Sequence, residues 1–463
     1  MVSAKYPSKE HARRSGGHFT ARSATRKPTL IYISAAKSGL YPYSDQEFPH
    51  RQNRYFYYLT GFNGPDSFVT YNVQTDKLTL YLPEIDFDDV MWSGMPVSLK
   101  DALELHDVDQ VLYVSKLEHN IKAHLAEGGQ VLTIKGNHGY ESLVTVSETL
   151  MESLDEARLI KDEFELNLMR HAAKITDNSH YAVMSALPIE KNEGHIHAEF
   201  IYHSMRQGSK HQSYDPVCCS GTNNSTLHYV KNDEDLDGRQ LVLIDAGAEW
   251  KNYASDVTRS FPIDGEWSKE AREIYETVFD MQKQCIKAVK PGAHWDELHI
   301  LSHTILIKHF LALGIFKSDF SIEEILKSRV SCSFLPHGLG HLLGLDTHDV
   351  GGKPNYLDED IMFRYLRLRR DLQAGMVVTV EPGVYFNHFI IDPYVKDEKT
   401  SKFFDEAILA KYWAVGGIRL EDDIIVTPAG YENITKITSD IDEVAKTVKA
   451  GLKKGRKQFH CVV

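Results

Sequence analysis

Carboxylates stand inside strand-like apolar runs at three places in the second half of this chain. LVLIDAGAEWKNYASDVTRSF (241–261) carries Asp245 and Asp256, MVVTVEPGVYF (376–386) carries Glu381, and GGIRLEDDIIVT (416–427) carries Glu421. Burying an acid in an apolar strand is costly unless the group is hydrogen-bonded, paired or bound to a cation. Either the fold delivers these distant acids to one shared place, or each finds a private partner.

The 241–261 segment reads as two β-runs flanking EWKN. A hairpin closed by the four residues Glu249 to Asn252 would pair 248 with 253 and set Asp245 directly opposite Asp256. Cross-strand partners lie on one face with Cβ atoms about 4.5–5.5 Å apart. Two carboxylates that close repel unless a proton or cation lies between them. The other reading is a bulge that turns one aspartate outward. In 416–427, Arg419, Glu421 and Asp423 alternate onto one face, and Arg419 alone could neutralise Glu421 as a structural ion pair.

FLPHGLGHLLGLDTHDVGG (334–352) sets His337, His341 and His348 among five glycines. The first two are four apart, as in a helical zinc motif. No Glu follows His337, however, and Gly338, Gly340 and Gly344 would each cost a helix roughly 1 kcal/mol. The glycines predict a tight path with close backbone approach. Taken alone, the stretch also reads as a surface loop with incidental histidines. Taken with the acids, Asp245, Asp256, His341, Glu381 and Glu421 make a set of four carboxylates and one imidazole. Such a set can hold two divalent ions about 3.5–4 Å apart, and an oxygen-rich shell favours harder ions such as Mn²⁺. The glycines would let the loop approach the metals, one histidine binding and the others reaching a substrate.

The rest of the chain supplies the frame. At 463 residues, two or three domains are expected. Residues 1–28 read as a polar, frayed tail, residues 29–155 as an α/β domain, residues 156–445 as the domain carrying the acids, and residues 446–463 as a basic tail. TLIYISAAK (29–37) reads as a buried strand, SFVTYNV and LTLYLPE as a hairpin with a four-residue turn, and QVLYV (110–114) and QVLTIKG (130–136) as strands flanking a helix. RYFYYLTGF (54–62) suits core packing or a domain interface. Asp162 and Glu165 predict a capping box opening a long helix with Phe164, Leu168, Ala172 and Ile175 on one face. A second helix sets Ile274, Val278, Met281 and Cys285 on one face and stops before Pro291-Gly292. The net charge of -13 argues against nucleic acid as a partner. No apolar run reaches the ~18 residues of a membrane span, no apolar secretory h-region is seen, and Cys461 misses the prenylation position. Five irregularly spaced cysteines suit a reducing compartment, so a cytoplasmic location is expected.

The motifs around the five ligands, with NSTLHYV (224–230) and RYFYYLTGF, resemble in order and context the proline-specific metallopeptidases of the creatinase or pita-bread fold, aminopeptidase P and prolidase. The resemblance covers roughly residues 30–435. It implies an α+β architecture, with an N-terminal creatinase-like α/β domain and a C-terminal pita-bread catalytic domain. It further implies that Asp245, Asp256, His341, Glu381 and Glu421 bind two Mn²⁺ ions per subunit, with Co²⁺ or Zn²⁺ as substitutes. His228 and His348 would face the substrate, His337 would line the site and support the loop, and Arg419 would brace the ligands. Arg367, within RYLRLRRD, would hold a substrate carboxylate, although that run offers several arginines. Glu381 would also shuttle a proton, so His228, His348 and Glu381 form the catalytic set. The substrate would be a small peptide with proline second, and family members are commonly homodimers. The segment between the last two ligand strands leans toward prolidase, hence dipeptides. Methionine aminopeptidase shares the ligand pattern but not the N-terminal domain. Metal-free binding modules share the fold but lack the ligand set.

Overall fold

The computed structural model describes residues 5–452. Its Cα packing divides the chain into two units, residues 1–159 and 160–463.

In the first unit the apolar runs become β1 (Thr29–Ser34), β2 (Phe68–Asn72), β3 (Lys77–Leu82), β4 (Gln110–Tyr113), β5 (Gln130–Thr133) and β6 (Thr145–Val146), in the sheet order β4-β3-β2-β1-β5-β6. β2 and β3 form a hairpin whose last pair is Asn72 with Lys77, leaving a four-residue loop. β3 and β4 run parallel, as do β1 and β5, and the helix Leu117–Ala126 lies between β4 and β5 in sequence. The aromatic run becomes the helix Arg54–Thr60, which ends on Gly61 in the left-handed region at φ 62°. Phe56, Tyr57 and Tyr58 of that helix are buried, and the Tyr58 hydroxyl donates to Ala157 O at 2.7 Å.

Two terminal expectations are corrected. Residues 1–28 are not simply a polar tail, because Ser8–Arg22 is a helix. Ala12, Ser15, Gly16 and Phe19 recur at helical spacing and are buried, and His11 Nδ1 hydrogen-bonds Tyr58 O at 2.8 Å. The basic tail does not begin at 446, because the helix Ile441–Leu452 runs through it. Val444, Ala445 and Val448 make its buried stripe among the lysines. The remainder of that tail, with Cys461, lies outside the described residues.

In the second unit, β7 (Val217–Ser220), β8 (Leu241–Asp245) and β9 (Thr258–Pro262) form one sheet in the order β7-β8-β9. β10 (Val377–Val380), β13 (Asp422–Thr427) and β14 (Gly430–Asn433) form another in the order β10-β13-β14, and β11 (Gly383–Tyr385) pairs with β12 (Gly417–Arg419). The helix Glu163–Ala186 opens on the capping box of Asp162 and Glu165. With the helices Glu193–Arg206 and Ile441–Leu452 it packs Val183, Met184, Phe200, Val444 and Val448 against Val242, Ile244 and Phe261. The helices Lys269–Ala288 and Trp295–Leu313 pack Ile274, Val278, Met281, Leu306 and Phe310 into a core with Val384, Phe386, Ile418 and Leu420. Each such buried side chain contributes about 1.5–3 kcal/mol relative to exposure. Because Val242 and Ile244 face helices, the alternation of a strand puts Asp245 on the opposite face.

The β8–β9 hairpin differs from the expected one in register. Trp250 and Tyr253 exchange both backbone hydrogen bonds, at 2.9 and 3.0 Å. Between them Lys251 and Asn252 have φ of 48° and 66°, the backbone signature of a two-residue I′ turn. The loop is therefore two residues long, and Asp245 pairs with Thr258 rather than with Asp256. The slip is by two positions, an even number, so both aspartates stay on one face as diagonal neighbours.

Candidate metal centre and catalytic cavity

Each acid reaches the site from a strand end. Asp245 closes β8, and Asp256 lies two residues before β9. Glu381 follows β10, and Glu421 lies between β12 and β13, bridged to Thr258. His341 comes from the glycine-rich loop, which runs without regular helix. Its backbone N–H donates to Thr379 Oγ1 at 3.1 Å. The loop lies so close to β10 that a Cβ on Gly340 would stand 2.1 Å from Thr379 O. This close approach is the role expected of the glycines.

The five side chains meet at one cavity of about 630 Å³, which is also lined by His228, His337, His348, Arg367, Arg419 and Tyr214. Ligand-capable atoms of Asp256, His341 and Glu421 all lie within 4.8 Å of one another, and all three residues are buried. His341 Nε2 is 3.4 Å from Asp256 Oδ2 and 3.5 Å from Glu381 Oε1. His341 Nδ1 lies 2.9 Å from Leu342 O, so a proton there leaves Nε2 with its lone pair toward the acids. Asp245 joins the group through Arg419, whose Nη2 donates to Asp245 Oδ2 at 2.6 Å. The Tyr214 hydroxyl contacts both Asp245 Oδ1 and Asp256 Oδ1.

The acids are under strong electrostatic pressure. Burial, then the Asp245 and Glu381 charges, pushes the Asp256 carboxyl well up. Burial, then Glu421, does the same to Glu381, and burial, then Asp256 and Asp245, to Glu421. Arg419 opposes each shift but supplies one cation for several acids. It is spread among Asp245, the Tyr385 hydroxyl at 3.0 Å and Thr258 Oγ1 at 3.2 Å. The private-partner reading, Arg419 neutralising Glu421 alone, does not describe this arrangement. A donor set of buried carboxylates plus one correctly presented imidazole nitrogen fits divalent cations.

The histidines differ in their freedom. His337 lines the cavity, but Nδ1 is 2.8 Å from Gly338 O and Nε2 is 2.8 Å from the Tyr385 hydroxyl. Burial, then Arg419, lowers its pKa to about 3, and its engaged nitrogens suit it to holding the loop. His348 stands edge-on to His341, with ring centroids 4.5 Å apart, and opens to the cavity. Desolvation, then His341, Arg367 and His228, lowers its pKa to about 3, so it is neutral at pH 7. His228 is exposed at the cavity wall. Of the nearby arginines, Arg369 is bound to Asp296 and Asp358, and Arg364 to the carbonyls of Asp358 and Glu359. Arg370 donates to Gly351 O. Of these four, Arg367 is the one at the cavity.

Sequence reasoning missed several supports. Tyr214 lies in a stretch with no strand pattern around it and is found only through its contacts. Thr258 Oγ1 donates to Glu421 Oε2 at 2.6 Å. Asp423 accepts from Ser255 Oγ at 2.8 Å and from the backbone N–H of Asp256 at 3.2 Å, which fixes Asp256 from behind. Arg259 is buried and binds Asp422 Oδ1 at 2.7 Å and Glu421 O at 2.9 Å, tying β9 to the Glu421 strand.

A cavity walled by strand-end acids and one imidazole has the donor set of a metallohydrolase site. Comparison with known proteins agrees. Residues 167–428 match metallopeptidase family M24, and residues 18–132 match the aminopeptidase P N-terminal domain. The chain is 51% identical to an uncharacterised peptidase of Saccharomyces cerevisiae over 99% of this chain and 87% of that protein. It is 45% identical to a probable Xaa-Pro aminopeptidase of Botryotinia fuckeliana, covering 97% of this chain and 98% of that one. In structure it is similar to Escherichia coli aminopeptidase P solved with the inhibitor Pro-Leu, at a TM-score of 0.79 and 29% identity, over 97% of this chain and 100% of the other. The chain belongs to metallopeptidase family M24, in the branch that carries the aminopeptidase P N-terminal domain. The expected α+β class, a pita-bread catalytic domain preceded by its α/β partner, holds.

Proposed function

We propose that this protein is a Xaa-Pro aminopeptidase, a metallo-exopeptidase that removes the first residue from peptides with proline second. One observation carries the reading: acids from three separate strand systems and His341 converge on a single cavity beside His228, His348 and Arg367. The names of its relatives support an aminopeptidase over the dipeptidase that the segment before Glu421 suggested.

Asp245, Asp256, His341, Glu381 and Glu421 would hold two divalent cations, for which we favour Mn²⁺. When bound, such a pair supplies Lewis acidity and water acidified toward neutral pH. The protein's own part is positional. The neutral imidazole of His348 offers an N–H to the oxygen of the scissile carbonyl as charge develops there. Glu381 would carry a proton through its Oε atoms toward the proline nitrogen. A prolyl nitrogen has no N–H, so a site built around that hydrogen bond would lose a contact with this class of substrate. His228 and Arg367 orient the rest of the peptide.

We further propose a homodimer, supported by Phe87, Met91, Trp92 and Met95 exposed along one short segment. A reducing compartment such as the cytoplasm suits the four unpaired, buried cysteines among the described residues. The test of the main reading is hydrolysis of Arg-Pro-Pro beside Gly-Pro and a Met-Ala peptide, with Mn²⁺ added. Release of arginine from Arg-Pro-Pro is expected. Cleavage of Met-Ala alone would move the chain to another specificity, and cleavage of Gly-Pro alone would restore the dipeptidase reading.

A further inference from the structure

We infer that Lys161 is a positioning residue: through a buried ion pair with Asp349 it fixes the backbone that presents His348 to the cavity. The inference rests on the reading of His348 given above. Lys161 Nζ lies 2.8 Å from Asp349 Oδ2, and each side chain keeps 1% of its accessible surface. Two charges sealed in this way gain little net stability, because both have lost their water. Their value lies in geometry, since moving either one breaks a buried contact that links the two segments.

What the pair holds can be traced atom by atom. Asp349 directly follows His348 in the chain. Among the described residues neither ring nitrogen of His348 has a hydrogen-bond partner, and its ring meets that of His341 in a T-shaped contact. The placement of His348 is therefore set mainly by its backbone. That backbone turns back on itself, with Asp349 N–H donating to Leu342 O at 2.9 Å. Gly344 lies beneath the pair, where a Cβ would stand 2.2 Å from Asp349 Oδ2 and 2.8 Å from Lys161 Cε. The Gly344 carbonyl accepts from Ala254 N–H at 2.8 Å, in the hairpin that carries Asp256.

The other end is anchored firmly. Lys161 N–H donates to Gly375 O at 2.9 Å, and the next residue, Asp162, caps a helix of 24 residues. One long helix start thus grips the loop bearing His341 at one end and His348 at the other. A displacement of about 1 Å in a group that must meet a substrate oxygen can cost on the order of 100-fold in rate.

The test is a double-mutant cycle read on Arg-Pro-Pro, with kcat expressed per folded, metal-loaded molecule. Lys161→Met is expected to lower kcat at least roughly tenfold with metal content unchanged, and Lys161→Arg to recover most of it. In a His348→Ala background, Lys161→Met should cost nothing further. Should Lys161→Met fold poorly, Lys161→Met/Asp349→Leu removes both charges and should regain stability while kcat stays low. Wild-type kcat in that double variant, or a full further loss on top of His348→Ala, overturns the inference. If His348→Ala itself turns over like the wild type, the reading of His348 falls first and the inference falls with it.

Discussion

Removing the metal should expose the electrostatic pressure in the cavity, and the effect should depend on pH in a set direction. The carboxyls of Asp256, Glu381 and Glu421 are pushed up by burial and by one another. In the metal-free protein the native state therefore binds protons that the unfolded chain, with ordinary carboxyls near pH 4, has already released. Stability then falls as pH rises from about 4 through the raised native values. Divalent cations replace those protons, so their benefit should grow over the same range. At 100 times its dissociation constant each bound ion adds about 2.7 kcal/mol. The second unit has about 300 residues, and at about 2.1 cal/mol/K per residue its unfolding entropy is about 0.6 kcal/mol/K. Each ion should thus raise the midpoint of that unit by about 4 °C, and two ions by about 8–9 °C. Calorimetry of chelator-treated protein with and without Mn²⁺, repeated from pH 5.5 to 8, measures this directly. A shift that is absent, or that shrinks as pH rises, refutes the account of the acids.

Two substitutions probe the supports. Arg419→Lys keeps the charge but cannot reach Asp245, Tyr385 and Thr258 together; a loss of about 10–100-fold in metal affinity is expected by chelator competition, and unchanged affinity would show the fork to be dispensable. Gly340→Ala would drive a methyl group to 2.1 Å from Thr379 O; the loop must move off β10, and metal content measured on purified protein should fall while the first unit's melting transition stays in place.

The convergence of the acids on one cavity was legible because its signal is local: an acid inside an apolar run is anomalous wherever it occurs, as at Asp245, Glu381 and Glu421. The path of the 334–352 loop was legible for a similar reason, since Gly338, Gly340 and Gly344 weaken any helix. Tyr214 and Arg259 were not, because neither stands out from its neighbours and only tertiary contact gives each its role. The hairpin register missed by two positions since Lys251-Asn252 is a weak version of the usual two-residue turn, and Asn252 tolerates a left-handed backbone without advertising it as glycine would. The helix Ser8–Arg22 hid behind its polar composition and its two internal glycines, and its burial against the rest of the first unit overrides those propensities.

The tight corner at Lys251-Asn252 also limits how this polypeptide can vary in length. Adding or deleting one amino acid there, with no bulge to absorb it, would change the pairing by an odd step and swing one of two acids out of the cleft and into the aliphatic layer. Outer connections such as the one between the final two ligand strands carry no such parity. A change of length should therefore be tolerated less well at this corner than in those outer connections, unless a bulge restores the parity.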